Sequence, residues 1–353
     1  MAVCNIPAVL FFILISAAAS ASEYKPLDIP GADQPEVARI RTDFLKPSGL
    51  KKLTGILDNA EPYRLYIRKQ LAQKKMPSCL EYLPVIESEF NPSARSKDGN
   101  GVGMWQFMPN STSPFLILNS WIDERLDPWK STDAALSKLQ DNYRQFNDWP
   151  LAIAAYNCGA GAMSRALKDA PEKTFWYLAE NALIPDHTIR YVPKLLAIAD
   201  LAQNSEYYGI QLPTAADDNG TSLEIRAGEF DYITVQASVP LIQLAGELRI
   251  DNQLFLQLNA ALIKGITPPD MPYRIRLPAG MKTAAEQALT QIQIYTSFAV
   301  HTVKKGDTLW SLSKTYRIPV LEICRINELS DETILKIGKI LYIPDNSSDK
   351  RSE

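Results

Sequence analysis

The chain has 353 residues, 46% of them hydrophobic and 22% charged, a globular composition with room for two or three domains and none of the marks of overall disorder. A net charge of −3 leaves no electrostatic footprint for nucleic acid. The two histidines, His187 and His301, lie far apart, and the four cysteines contain no C-x-x-C pair, so no metal site and no other cofactor is indicated.

The first residues read as an export signal. Ile6 to Ile15 is an apolar core too short to span a bilayer comfortably, and Ala19-Ser20-Ala21 offers a small-residue cleavage site. Residues 1–21 are therefore expected to be a signal peptide, with the remainder exported to the periplasm or cell envelope. Met1-Ala2-Val3-Cys4-Asn5 lacks the usual Lys or Arg, so an uncleaved amino terminus that associates with the membrane is the alternative. Cleavage would leave Cys79, Cys158 and Cys324. An odd count means at least one free thiol or an intermolecular bridge. A Cys79–Cys158 bridge and buried free thiols both stay open.

From about Glu36 to Gln203 apolar residues recur at three- and four-residue spacing, which predicts an all-α domain. The clearest helices are Arg64 to Leu71, Asp133 to Phe146, Leu151 to Cys158 and Thr188 to Ala202. Residues 22–65 read as a helical extension and 66–210 as the main helical domain. The small, polar run Thr214-Ala215-Ala216-Asp217-Asp218-Asn219-Gly220 marks a linker over 211–228. A second pattern then appears twice. Ile233-Thr234-Val235, Leu244 and Asn259 recur at matching offsets as His301-Thr302-Val303, Leu312 and Asn327, and each copy ends in an apolar strand before a proline. This internal repeat predicts two small β-α-α-β modules, 229–280 and 299–344, joined by a helical spacer over 281–298 and followed by a polar tail over 345–353. The fold class is α+β and multidomain.

Chemistry concentrates in four segments of the helical domain. In Leu83-Pro84-Val85-Ile86-Glu87-Ser88-Glu89-Phe90-Asn91-Pro92 an apolar run carries Glu87, and Asn91-Pro92 is expected to stop the helix. A carboxyl held against apolar walls is destabilised as an anion, so its pKa rises and it stays protonated for use as a general acid. Gly101-Val102-Gly103-Met104-Trp105-Gln106-Phe107-Met108-Pro109 combines glycines that permit close backbone approach with Gln106, a donor and acceptor suited to sugar hydroxyls. Ala154-Ala155-Tyr156-Asn157-Cys158-Gly159 sets polar groups at a helix end, and Arg190-Tyr191-Val192-Pro193-Lys194 opens a helix with a tyrosine in its first turn.

With these motifs in this order, the stretch from about Met76 to Tyr208 resembles the lytic transglycosylases of bacterial cell walls, especially the membrane-bound murein type D. The resemblance implies a lysozyme-like helical fold with Glu87 as the single acid/base. It also implies that Ser96 hydrogen-bonds near the acid or substrate, and that Ser88, Gln106, Tyr156, Asn157 and Tyr191 contact substrate. The repeat is similar to the lysin motif, which binds N-acetylglucosamine-containing glycans. In the second copy the similarity places glycan contacts at Gly306, Asp307 and Thr308. The first copy has Ser238-Val239-Pro240 there and is expected to be a degenerate module. His187 stands before Thr188 where relatives usually carry Glu.

The implied substrate is peptidoglycan, cut between N-acetylmuramic acid and N-acetylglucosamine to leave a 1,6-anhydro sugar. A lysozyme-type hydrolase of the same bond is the first alternative, and it would need a second carboxylate. Glu89 points to another helix face, while Asp98, Asp123 and Asp127 read as loop caps or solvated charges. An inactive wall-binding protein is the other alternative.

Overall fold

The computed structural model describes residues 23–212, 225, 227–292, 294–295, 297–327 and 329–344. The expected signal peptide, most of the linker and the polar tail lie outside the described residues. Among the described residues no helix is long and apolar enough to cross a membrane.

Two helices, α1 (Pro35–Phe44) and α2 (Pro47–Lys74), each begin with a proline, whose missing N–H falls where a helix has no partner for it. The α2 helix runs straight through the expected boundary at residue 65. Its buried face (Leu53, Ile56, Leu57, Ile67 and Leu71) belongs to the same core as the helices that follow. A short 3-10 turn, Ser78–Tyr82, leads into α3 (Leu83–Ser88). Next come α4 (Pro128–Phe146), α5 (Trp149–Cys158), α6 (Ala160–Lys168), α7 (Phe175–Glu180), α8 (Asp186–Ile189) and α9 (Tyr191–Gln203). Asp127 and Asp148 cap α4 and α5 through backbone N–H groups, satisfying donors that a helix start leaves open. The predicted helix over 188–202 is in fact divided, because the chain turns at Arg190 between α8 and α9. Cys79, Cys158 and Cys324 are all free thiols.

The α5 helix is buried along Leu151-Ala152-Ile153-Ala154-Ala155. Its small side chains let α4 and α9 come close on either side. Behind α3 sits a buried ion cluster. Arg64 donates to Glu61 (2.8 Å) and Glu81 (2.6 Å), and Arg68 donates to Glu81 (2.7 Å). Each buried charge has an opposite partner, without which burial would cost several kcal/mol. The cluster fastens the 3-10 turn, and with it the entry to α3, onto α2.

The carboxyl-terminal region holds two antiparallel two-stranded sheets. In the first module β1 (Phe230–Val235) pairs with β2 (Tyr273–Pro278), and α10 (Leu241–Leu248) and α11 (Asn252–Leu258) lie between them in sequence. The helix α12 (Lys282–Ala288) packs on this module through Ala285 and Ala288. In the second module β3 (Phe298–Thr302) pairs with β4 (Ile340–Pro344) around α13 (Leu309–Tyr316) and α14 (Val320–Ile326). The repeated asparagine does the same work in both copies. Asn259 exchanges hydrogen bonds with the backbone of Arg276 (2.9 and 2.8 Å), and Asn327 with that of Tyr342 (2.8 and 2.7 Å).

The first module is docked on the helical domain. Arg276 on β2, 4% exposed, donates to Asp127, 2% exposed, at 2.7 Å, and to the Leu258 carbonyl at 2.7 Å. Its guanidinium lies 4.7 Å from the Trp129 ring and 4.9 Å from that of Phe230. Backbone bonds Asp123 N–H to Ala261 C=O (2.8 Å) and Ile263 N–H to Trp121 C=O (3.2 Å) complete the seam. Asp127 thus caps α4 and neutralises the module's buried arginine. Asp127→Ser, which keeps the cap but strands the guanidinium, should cost about 3 kcal/mol in chemical denaturation. Adding Arg276→Met should recover most of that loss, because no buried charge is then left unpaired.

Candidate active site

Glu87 sits in the last turn of α3. That helix does not run on to Asn91-Pro92 as expected: Glu89 (φ 55°) and Phe90 (φ 59°) adopt the left-handed conformation and turn the chain first. Glu89 is carried outward, where it pairs with Lys52 on α2 at 2.7 Å. Ser88 donates to the Met104 carbonyl at 2.7 Å and ties the end of α3 to the glycine-rich loop. The Tyr191 hydroxyl, at the first residue of α9, donates to the Glu87 carboxyl. Tyr156 on α5 donates to the Trp105 carbonyl at 3.0 Å, and its ring packs edge-on against Phe107.

The loop over 91–108 is built to hold shape. Gly103 (φ +84°) passes so close to the Arg125 carbonyl that an added Cβ would lie 1.8 Å from its oxygen. The close approach is therefore to protein backbone at Gly103, and at Gly101 to the side chains of Gln106 and Ser96. The Trp105 indole N–H donates to Thr132 on α4 at 2.9 Å. Arg125, clamped by Asp123, donates to the carbonyls of Asn100 (3.0 Å) and Phe107 (3.2 Å). Ser96 donates to Asp98 and accepts from Gly101 N–H at 2.8 Å. Gln106, itself at φ 49°, donates to the Gly103 carbonyl at 2.9 Å. Both side chains thus have loop-shaping bonds beside any role toward substrate. Asn157 accepts from the buried Thr188 hydroxyl at 2.8 Å, joining the end of α5 to α8, while neighbouring His187 is exposed.

Burial raises the Glu87 pKa to about 7, opposed by the Tyr191 hydrogen bond and by the charges of Lys138 and Lys194. A neutral carboxyl near neutral pH is what protonation of a leaving oxygen needs. Burial, reinforced by the Glu87 charge, pushes the Tyr156 and Tyr191 phenols well above their ordinary range, so both remain hydrogen-bond donors. The other carboxylates weighed for a hydrolytic role have partners: Asp98 in its loop, Asp123 on Arg125 and Asp127 on Arg276.

The Transglycosylase SLT domain family matches residues 64–179, which include Glu87, the glycine-rich loop and α5. The LysM domain family matches residues 301–344, and the family described as Lytic transglycosylase MltD, LysM-like domain matches 229–294. Membrane-bound lytic murein transglycosylase D of Escherichia coli (strain K12) is 30% identical over 337 residues, covering 90% of this chain and 71% of its own length. The chain belongs to the membrane-bound lytic murein transglycosylase D family. A putative tributyltin chloride resistance protein of Alteromonas sp. (strain M-1) is 38% identical over 32% of this chain and 56% of its own. Among solved structures, lytic transglycosylase Slt of Pseudomonas aeruginosa aligns at 25% identity over 42% of this chain and 25% of its own, with a TM-score of 0.35.

Two groups around the acid in this member of the transglycosylase D family escaped the sequence reading. Lys138 on α4 places its ammonium 4.9 Å from the Tyr156 ring and 5.6 Å from that of Phe107. Burial lowers its pKa, and the Glu87 charge opposes that shift. Lys194 falls one turn after Tyr191 on α9, so helical spacing alone could have flagged it. In the second module Gly306 takes φ +95°. Asp307 accepts from Lys304 N–H (2.7 Å) and meets His301 Nε2 at 2.8 Å, bonds that hold its carboxyl below the usual range. Thr308 caps α13 by accepting from Ser311 N–H at 3.0 Å.

The raised pKa has a stability consequence of definite sign. Glu87 is neutral in folded and unfolded chains below about pH 4.5, and above that only the unfolded chain ionises freely, until the folded carboxyl titrates near 7. Glu87→Gln should therefore gain stability over the parent chain as pH rises from 4.5 to 7, by about 3 kcal/mol at the plateau. Thermal melts across that range check this. Tyr191→Phe removes a donor to the anion, so the alkaline limb of the activity profile should move up by roughly one pH unit.

Proposed function

We propose that this chain is an exported peptidoglycan lytic transglycosylase of the cell envelope, with Glu87 as its acid/base. The bond cut is that between N-acetylmuramic acid and N-acetylglucosamine. The observation that carries this reading is the placement of the partly buried Glu87 carboxyl, which accepts a hydrogen bond from the Tyr191 hydroxyl and whose pKa is pushed up to about 7 by desolvation. Neutral Glu87 gives its proton to the glycosidic oxygen as that bond breaks through an oxocarbenium-like state. The carboxylate so formed is held by Tyr191, and the charges of Lys138 and Lys194 favour it. It then takes the proton of the muramic acid 6-hydroxyl, whose oxygen closes on the anomeric carbon to give the 1,6-anhydro sugar. Glu87 ends protonated and no water is consumed. Closure is intramolecular, which removes the need for a second carboxylate to activate water. The engagement of Asp98, Asp123 and Asp127 elsewhere supports this route over hydrolysis.

On this reading the helical domain is lysozyme-like and the two carboxyl-terminal units are β-α-α-β lysin motifs, the first degenerate. Ser88, Ser96, Gln106, Tyr156, Asn157 and Tyr191 frame the glycan groove. Gly306, Asp307 and Thr308 contact the wall glycan, and the amino terminus directs export or holds the chain at the membrane.

Mass spectrometry of soluble products from purified sacculi tests the chemistry. Anhydro-muropeptides are expected from the parent chain and none from Glu87→Gln. Reducing-end products from the parent chain would make it a hydrolase. For the second module, Asp307→Ala should weaken retention on insoluble peptidoglycan several-fold while kcat on soluble glycan strands stays unchanged. Equal retention would remove the anchoring role.

A further inference from the structure

The two modules differ most at the positions where the second is expected to meet glycan. In the second module Gly306 and Thr308 are exposed. Their counterparts in the first, Ser238 and Pro240, are buried together with Val239, and Ser238 and Val239 are both 0% exposed. The same chain covers them. Ser238 and Tyr295 exchange backbone hydrogen bonds at 2.7 and 2.9 Å. Val239 N–H donates to the Thr267 hydroxyl at 2.8 Å, and Leu241 N–H to the Gly265 carbonyl at 3.0 Å. The backbone N–H groups of Ser238, Val239 and Leu241 all have protein partners, the Ser238 hydroxyl is buried without one, and Ser238, Val239 and Pro240 are covered.

The residues that cover the loop lie in the first module and in the spacer, and two of them, Ile266 and Tyr295, also pack against the next module. Tyr295 (1% exposed) and Ile266 (1%) are packed into the second module's core with Leu309, Leu312 and Ile323. The Tyr295 hydroxyl donates to Glu322 at 2.6 Å, Gln243 donates to the same carboxylate at 2.8 Å, and Lys264 donates to the Ile326 carbonyl at 3.0 Å. Glu322 is 5% exposed. A buried carboxylate that takes one donor from the first module and one from the spacer makes a poor hinge, because opening would break both hydrogen bonds. On its other side the first module holds the helical domain through Arg276 and Asp127. Trp121 of the helical domain reaches as far as Phe298 and Tyr342 of the second module, at ring separations of 5.0 and 6.2 Å.

We infer that the first module is a rigid coupler in which the position of the glycan loop is closed by Ile266 and by Tyr295 of the spacer, the two residues that seat the second module of the same chain. It takes no glycan. It fixes the distance and direction from the exposed Gly306–Thr308 loop to Glu87, so that wall binding presents sugar to the groove in one geometry rather than on a flexible tether. This assignment builds on the lysin-motif reading of the second module, but its test does not depend on catalysis.

The experiment is 15N relaxation on the full chain, followed by titration with the N-acetylglucosamine tetramer. Amides of α4, β1–β2 and β3–β4 are expected to report one common rotational correlation time. A value for β3–β4 near half that of α4 would overturn the coupler. With the tetramer, shifts are expected around 304–309 and none at 237–241. Shifts at 237–241 would equally overturn it. A chain that proved catalytically inert would give the same two readouts, so loss of the enzymatic reading would be seen separately.

Discussion

A carboxyl group with little access to water is expensive to ionise, and most of the helical domain bears on keeping Glu87 in that state. Burial raises its pKa to about 7, a difference of about 3 kcal/mol relative to an ordinary glutamate. That cost has to be met by the surrounding fold. The buried Arg64–Glu81 cluster fastens the entry to α3, Ser88 fixes its exit on Met104, and Tyr191 reaches the carboxyl from α9. Three elements distant in sequence therefore hold one side chain. The same Tyr191 hydrogen bond also limits the shift, so the group can both give up a proton and take one back.

Electrostatics elsewhere in the molecule follows a different logic. Arg276 and Asp127 are paired and almost fully covered, with the guanidinium set against the Trp129 ring. Pairs of this kind add little net stability over apolar side chains but penalise every arrangement in which they separate. Asp127 couples that pair to the cap of α4, the helix that also carries Lys138 toward Glu87. The helix whose start receives the first module is therefore also the helix that carries a cation beside the acid.

Much of this was legible in the sequence, for identifiable reasons. The helices showed through their apolar spacing, the repeat through matched offsets such as Asn259 and Asn327, and Glu87 through a motif order that restricts the chemistry. What stayed hidden depends on neighbours distant in the chain. A lysine such as Lys138 in an amphipathic helix looks solvated until Phe107 and Tyr156 are folded over it. Arg276 in a short strand looks like an outward-facing cation. Gln106 suits sugar hydroxyls by its amide and Ser96 enters through the family resemblance alone, and in the fold both also make hydrogen bonds that close the loop. The left-handed turn at Glu89 and Phe90 uses no glycine, so nothing local announced that the helix would stop before Asn91-Pro92.

The central claim is that Glu87 is neutral in the resting protein near neutral pH. The most direct measurement is a 13C NMR titration of its carboxyl carbon in the full chain, assigned by comparison with Glu87→Gln. A midpoint near 7, well separated from the exposed glutamates, is the expected result. A midpoint close to 4.5 would mean that Glu87 is an ordinary anion at working pH, and the acid/base role built on its burial would have to be abandoned.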